Sequence, residues 1–463
     1  MTEQLKLKLN DSKATRWGAL VIVAFTMMAA YYVNDVVAPL KTMLETDLAW
    51  SSTDFGFFTG GYSFLNVFFL MLIWGGLILD RFGIRFTGKL ATILMVGGTA
   101  LEYYAMTGLA GADATLFGIN EIFGYKTGVF VAFAGYSIFG VGAEVAGITV
   151  SKIIAKWFKG KELATAMGVQ VALARIGSQA VYAVAIPLAR AFGISTPVLL
   201  GLVLLLGGMI AFFIFAVMDK KLDKQMEAAA IAAGTEDEEE KFSFKDVKNI
   251  LVNPGFWLIA LLCVLFYSCV FPFQKFASEL MIIKYGINEN VAGTFAGLPA
   301  LGALILTPVF GGFIDKRGKS ASIMLLGSAM LICVHFIYAI PDINYWLVAI
   351  VLMIILGIAF SLVPSAMWPA VAKIFPVSQL GTAYALIFFI QNIGLWGIPT
   401  LIGWVLDAYC ISGKKPDGTN MYDYTVPMCI FTGIACLSLI VALLLKKADK
   451  KYGYKLEEPN IQK

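Results

Sequence analysis

Charge is scarce in this sequence. Only 14% of its 463 residues are Asp, Glu, Lys or Arg, where a soluble chain carries about 25%. A surface so poor in charge excludes a soluble globular protein of this size and implies that most of it meets lipid. Histidine is nearly absent. His335 stands alone, which excludes His-rich metal chemistry and leaves little for a nucleophile–base–orienter set, so the chain is not expected to be an enzyme. The six cysteines, Cys263, Cys269, Cys333, Cys410, Cys429 and Cys436, contain no C-x-x-C pair, which argues against zinc and redox sites. Most lie in apolar runs as inert core residues, while Cys410 and Cys429 flank a loop where pairing in an oxidising compartment stays open. No glycine-rich phosphate cradle is visible; Gly140, Gly142 and Gly147 have the spacing of close helix contacts. No cofactor, metal or nucleic-acid partner is expected, and the chain is expected to act as a monomer.

What is abundant is apolar sequence: 59% of the residues are hydrophobic and the mean hydropathy is +0.79. Apolar runs bounded by charge or turn residues predict spans near 17–38, 53–79, 86–108, 128–155, 162–190 and 196–218. They resume near 254–283, 289–314, 320–340, 344–372, 378–407 and 424–446. The expected fold is therefore an all-α membrane protein of twelve transmembrane helices, a six-helix bundle over 1–218 and another over 254–463. Between them, 219–253 reads as a linker carrying the acidic run Glu236-Asp237-Glu238-Glu239-Glu240. No signal-peptide cleavage pattern follows the polar N-terminus, so the first span stays as an anchor. Of the 35 Lys and Arg, 27 fall at the termini and in the even-numbered loops. Six lie in odd-numbered loops (Lys41, Lys126, Arg190, Lys284, Lys414, Lys415) and two within spans (Arg175, Lys275). By the positive-inside rule both termini are cytoplasmic. Asn10-Asp11-Ser12 fits a glycosylation sequon but falls on the wrong side for it.

The two halves repeat one another. Gly76-x-x-x-Asp80-Arg81-x-Gly83 returns as Gly311-x-x-x-Asp315-Lys316-x-Gly318. Lys156-x-Phe158 followed by Leu163-x-Thr165-Ala166 returns as Lys373-x-Phe375 followed by Leu380-x-Thr382-Ala383. The offset falls from 235 to 217 because 109–126 lengthens one loop of the first half. Transporters built from such repeats place substrate between them near the midplane.

The duplicated G-x-x-x-D-[RK]-x-G loop resembles the signature of the major facilitator superfamily, over nearly the whole chain. The resemblance implies two pseudo-symmetric six-helix bundles and alternating access, with Asp80, Arg81, Asp315 and Lys316 as gating charges that pair in one conformation only. Tyr31-Tyr32-x-x-Asp35 ahead of Ala38-Pro39-Leu40, with Glu144 in the fourth helix and Arg175 in the fifth, resembles the lysosomal dipeptide uniporter branch. Val36-Val37 stands where that branch tends to have a proline, and the E-x-x-E-R motif of proton-coupled oligopeptide transporters is missing.

An ionisable group inside a span costs at least a few kcal/mol on insertion scales and asks for a function. Glu144 lies 12 residues before Lys156 and Arg175 lies 14 after Lys161, about 18 and 21 Å up adjacent antiparallel helices at ~1.5 Å per residue. The charges are nearly level at mid-membrane. A planar guanidinium suits a carboxylate and a carboxylate suits an ammonium, so together they suit a zwitterion such as a dipeptide, each substrate end replacing one partner of an internal ion pair. The competing reading is a purely structural pair. By the repeat offset, Glu144 corresponds to Ser361 and Arg175 to Asn392, so the second half keeps polarity without charge.

Further candidates line this region. Asp35 stands about 28 Å up the first helix, near the outer mouth, as a ligand for the substrate amine or an outer gate. Tyr32 is expected in the cavity wall, with Tyr267, Phe271, Trp368 and Trp396. Gln170, Gln179, Gln391 and Asn392 are placed to bond a peptide amide. Lys275 and Glu279, at i,i+4, are expected to pair with each other. Glu102 reads as a packing residue at mid-depth of the third helix, with proton coupling as a minor option. His335 reads as a core histidine. Pro364, Pro369 and Pro399 are expected to weaken their helices. The function expected is dipeptide uniport, in a bacterial cytoplasmic membrane. An organic-anion carrier, a proton-coupled symporter and a sensor signalling through 219–253 are the alternatives.

Overall fold

A chain in lipid must satisfy its backbone hydrogen bonds within itself, and helices do so segment by segment. The structure, a computed structural model, describes residues 8–111, 114–158, 161–233 and 244–459. In order the helices are α1 Lys13–Asp35, a short 3-10 turn Ala38–Leu40, α2 Lys41–Asp47, α3 Ser52–Phe68, α4 Met71–Thr107, α5 Thr127–Trp157, α6 Leu163–Phe192 and α7 Thr196–Ala233. The second half follows with α8 Phe244–Val252, α9 Pro254–Tyr285, α10 Glu289–Ala296, α11 Leu298–Arg317, α12 Ser320–Ala339, α13 Trp346–Ile374, α14 Val377–Tyr409 and α15 Thr425–Tyr452. Their starts are written locally. Ser12 accepts from the Thr15 amide at 3.4 Å. Ser51 and Asp54 form a reciprocal capping box at the start of α3, and Asn253 caps α9 ahead of Pro254, satisfying amides that a helix start leaves unpaired.

Ten helices, counting α1–α2 and α10–α11 as continuous, are long and apolar enough to cross a membrane, and α3 and α4 add a pair bent by 58°. That pair makes two crossings. Helix α4 runs 37 residues but breaks at Gly83, whose φ is +75°. A Cβ on Gly75 would strike Val145 Cγ2, while one on Gly142 would strike the Ala91 carbonyl and Met95. Residues before and after Gly83 thus meet the same stretch of α5. A straight helix would hold positions 75 and 95 about 30 Å apart, so the chain reverses at Gly83 and the crossings total twelve. Gly318, the matching glycine of the second motif copy, also takes a positive φ of 70°. The motif ends in glycine because its turn uses left-handed backbone in both halves.

Several expected boundaries move. The second span breaks at Phe69–Leu70, where Leu70 is left-handed, with no proline or glycine at the bend. The eighth divides at Gly297 between α10 and α11. Helix α7 continues to Ala233, 15 residues past the expected end at 218; the acidic run lies outside the described residues. The long loop after α4 carries a two-stranded pair, β1 Glu121–Ile122 with β2 Tyr125–Lys126, and the loop after α14 carries β3 Ile411–Lys414 with β4 Asn420–Tyr422. Cys410 and Cys429 are free thiols, not a disulfide.

With twelve crossings both termini share one face, here the termini face. The two halves meet tightly towards the opposite, far face. A Cβ on Gly56 of α3 would lie 2.4 Å from the Pro399 carbonyl of α14, and one on Gly297 would lie 2.7 Å from Tyr182 of α6. Only glycine lets these backbones approach so closely.

Candidate functional site

Glu144 lies 13 residues before the end of α5 at Trp157, and Arg175 lies 12 after the start of α6 at Leu163. At ~1.5 Å per residue both stand about 18–20 Å above the termini face, level in mid-bundle. They do not pair with each other. Glu144 accepts a hydrogen bond from the Tyr62 hydroxyl of α3 at 3.0 Å. Arg175 instead sits among three aromatic rings, its Cζ 5.1 Å from Tyr31 of α1, 5.8 Å from Phe271 of α9 and 4.9 Å from Phe360 of α13. Tyr31 is close enough to Tyr62 and Tyr267 to interact electrostatically with both, so it stands between the two charges. The expected internal ion pair is absent because each charge finds a nearer partner on a different helix.

The magnitudes say what this does. Three cation–π contacts contribute roughly 0.5–1 kcal/mol each, comparable to the lower estimates of about 2.5–3.5 kcal/mol for an arginine in mid-membrane. They position the guanidinium. They do not occupy its N–H donors, which make no hydrogen bond among the described residues. A half-buried, positioned and unpaired fork is suited to receive a carboxylate bidentately.

The aromatic wall continues on the second half. Tyr267 stacks on Phe271 with centroids 5.4 Å apart, and Trp368 stacks on Phe388 at 4.9 Å, with Tyr267 and Trp368 centroids 6.5 Å apart. Gln391 accepts from the Cys263 thiol at 3.3 Å, and Asn392 donates to the Phe388 carbonyl at 2.9 Å while its Oδ1 has no partner among the described residues. Ser361 turns back to its own helix, donating to the Gly357 carbonyl at 2.7 Å. Gln170 is half-buried on α6. Tyr32 is buried, with its ring against Gly201 of α7 within the first half. Its neighbour Tyr31 holds the wall position.

Asp35 joins the far face rather than the aromatic wall. It accepts from Ser178 Oγ at 2.6 Å and Asn34 Nδ2 at 2.9 Å, and pairs with Lys275 Nζ of the other half at 3.0 Å. Lys275 also donates to the Asn34 carbonyl at 2.5 Å. The expected Lys275–Glu279 pair is therefore overturned. Glu279 takes Lys41 at 2.5 Å, Lys41 also holds Glu45 at 2.5 Å, and the Tyr424 hydroxyl donates to Glu279. Lys415 approaches Glu45 at 3.4 Å and Glu279 at 3.8 Å. The Lys41 and Glu279 side chains are 1% and 0% exposed. Further ties cross here: Asp407 of α14 accepts from the Ser52 and Thr53 amides at 3.3 and 2.5 Å, and Arg190 pairs with Glu289.

The termini face is wired differently. Asp80 pairs with Lys152 at 3.0 Å, Arg85 and Lys156 hold Asp219 and Asp223, and Arg16 holds Glu162 at 2.7 Å, all within the first half. Arg81 lies over the Phe82 ring, Lys316 is exposed, and Asp315 is near Lys373 of its own half. Among the described residues, the ion pairs that join the halves, Asp35–Lys275, Lys41–Glu279, Lys415–Glu45 and Arg190–Glu289, stand at the far face. The conformation is closed at the far face, and Asp80 and Arg81 of the first motif copy meet groups of their own half.

A duplicated six-helix bundle with two level midplane charges and halves tied together at one face is the build of a carrier, and the family profile of the Major Facilitator Superfamily matches residues 20–399 and 276–458. The chain belongs to the major facilitator superfamily. It is 29% identical over 454 residues to the human lysosomal dipeptide transporter MFSD1, covering 95% of this chain and 88% of the relative. The zebrafish (Danio rerio) protein of the same name is 26% identical over 444 residues, covering 93% and 86%. Among solved structures, the nucleoside transporter NupG superposes with a TM-score of 0.68 at 11% identity, covering 92% of this chain and 99% of that one. The peptide transporter POT, solved with sulfate, gives 0.67 at 14% identity, covering 95% of each. These structures share the fold. The chain is a multi-pass membrane transporter, and the superfamily's members are not enzymes.

Proposed function

We propose that this protein carries dipeptides by alternating access, as a uniporter, with Arg175 receiving the substrate carboxylate and Glu144 the ammonium. The observation that carries the reading is that the two mid-membrane charges are level, held in place by aromatic groups, and not spent on each other. The relatives named as dipeptide transporters over nearly the whole chain support it. Tyr31, Tyr267, Phe271, Phe360 and Trp368 then form a wall that admits varied side chains, with Gln170, Gln391 and Asn392 as amide ligands. Lys41–Glu279 and Asp35–Lys275 act as the far gate, and Asp80, Arg81, Asp315 and Lys316 as the opposing gate once the far face opens. We take 1–218 and 254–463 as the moving halves, 219–253 as their cytoplasmic linker, the protein as a monomer and the host membrane as a bacterial cytoplasmic membrane.

Thermal stability of the purified protein tests this, because a ligand at 100 times its Kd adds about 2.7 kcal/mol to the folded state. Dipeptides with both termini free are expected to raise the melting temperature, and the rise should vanish in Glu144→Gln and in Arg175→Ala. Stabilisation by dicarboxylates alone, retained in Glu144→Gln, would replace the dipeptide reading with an organic-anion carrier.

A further inference from the structure

Glu102 is not used by the carrier reading, yet it is a buried acid that nothing in that reading accounts for. Its side chain sits on α4, five residues before the helix ends at Thr107, about 7.5 Å from the far end of the helix. It is therefore in the far half of the bundle, not at mid-depth. It is 0% exposed, and neither carboxyl oxygen has a hydrogen-bond partner among the described residues. Thr99 Oγ1, one turn earlier, is likewise buried without a partner. The helix is held tightly there: a Cβ on Gly135 of α5 would lie 2.8 Å from the Glu102 amide nitrogen.

An ionised carboxylate in such a place, with no bond to either oxygen, would carry a desolvation cost of several kcal/mol with no hydrogen bond or ion pair to offset it. A neutral acid carries far less. The groups facing Glu102 show why no cation pairs with it. From α9 comes Lys275, within electrostatic reach of Glu102. But Lys275 is already committed to the Asp35 carboxylate and the Asn34 carbonyl. From α5 comes Tyr136, whose hydroxyl donates to the Asn34 carbonyl at 2.6 Å and lies 3.4 Å from Lys275 Nζ. On the other side of Tyr136 stands Asp35 of α1, which like Glu102 lies within electrostatic reach of that ring and would carry the same sign as an ionised Glu102. Helix α7 offers no charged side chain over Thr196–Leu206. Closing the far face thus seals one cation among two carboxyl groups, and Asp35 holds the cation.

We propose that Glu102 is a proton-binding site linked to the far gate: the far-closed state holds Glu102 as the neutral acid, and opening the far face lets it ionise. When α9 withdraws, the Asp35–Lys275 pair separates, and Tyr136 and the end of α4 meet water. Glu102 then releases its proton to the far side and recovers it on closure. The proton is bound and released at the same face. Acid at that face therefore favours closure without accompanying substrate across the membrane, which is compatible with uniport. The inference rests on alternating access between two states and not on which solute is carried.

The test is made without substrate, so it stands or falls apart from the dipeptide reading. Spin labels at Asp47 and Val291, both exposed at the far face on opposite halves, report the distance across the gate in lipid nanodiscs from pH 5 to pH 9. With one linked proton the ratio of closed to open protein should fall by up to about tenfold per pH unit once Glu102 begins to ionise. Glu102→Gln, isosteric with the neutral acid, should stay in the closed distribution across the range. A wild-type distribution that does not change with pH overturns the proposal with no variant needed. A pH response of undiminished slope in Glu102→Gln also overturns it, assigning the proton to another group such as Asp35.

Discussion

Removing Lys41 is the most direct challenge to the far gate. The buried cluster holds two cations, Lys41 and Lys415, and two anions, Glu45 and Glu279, so its formal charge is zero. Lys41→Met keeps the side-chain volume and the apolar stem but leaves a net charge of −1 sealed between the halves. Breaking a buried pair from one side costs about 3–5 kcal/mol. Protonating the stranded glutamate caps the loss: moving a carboxyl of ordinary pKa ~4.3 to the neutral form at pH 7 costs about 3.7 kcal/mol. Lys415, already 3.8 Å from Glu279, recovers part of this, so about 3 kcal/mol remains. In the far-open state the same groups are hydrated and the penalty is absent. The closed-to-open ratio should therefore drop on the order of 100-fold, at 1.4 kcal/mol per decade. Distances between spin labels at Asp47 and Val291, in a background lacking the exposed cysteines Cys333, Cys429 and Cys436, measure that ratio. The double variant Lys41→Met, Glu279→Gln leaves Glu45 with Lys415 at zero net charge and should restore most of the closed population. A single variant as closed as wild type would refute the gate, and a double variant no better than the single would refute the charge argument.

Two more expectations concern the termini face. Gly83→Ala must place a Cβ at φ +75° and should lower stability by about 1 kcal/mol or more. Gly76→Ala, in open helical space, should be neutral or stabilising by a few tenths; thermal unfolding of the two variants side by side checks the sign. The Arg16 hydrogen bond holds the Glu162 carboxyl below its usual 4.5, and the Lys161 hydrogen bond holds Asp11 below 3.8. Lowered values mean stabilisation that is complete above the ordinary carboxylate range and lost as pH falls below it. Glu162→Gln should accordingly flatten the acid limb of a melting-temperature profile below about pH 4.5 and leave the neutral region little changed.

The twelve crossings and the duplicated loop were legible because each is a local signal: apolar length, a charged break, and a glycine whose turn the structure finds left-handed twice. Glu144 and Arg175 were legible as isolated charges in apolar helices, and counting residues from the helix ends placed them level. What surrounds them was less so. Tyr31 and Tyr32 are neighbours of the same type, and nothing in a hydropathy pattern tells which of them faces Gly201 and which faces Arg175. Lys41 read as one more loop charge, because the sequence does not show that α2 folds in against α9.

The instructive misreading is Lys275 and Glu279. Their i,i+4 spacing does place both side chains on one face of α9, and the expectation of a local pair follows from that geometry. The same geometry is what sends each of them elsewhere. The face they share is turned to the first half, which presents an anion, Asp35, and a cation, Lys41, six residues apart across the end of α1. Each α9 charge meets an opposite charge across the interface, where water is excluded and the attraction is stronger than on an open helix surface. A local pair would have left the largely buried Asp35 carboxylate with neutral donors alone and Lys41 with Glu45 alone, a larger loss than the few tenths of a kcal/mol that an exposed i,i+4 pair supplies. A pair that looks self-contained in sequence is therefore the second half's contribution to closing the far face. The charge left out of that exchange is Glu102, which is why protonation there, and not another ion pair, follows from the same accounting of charge.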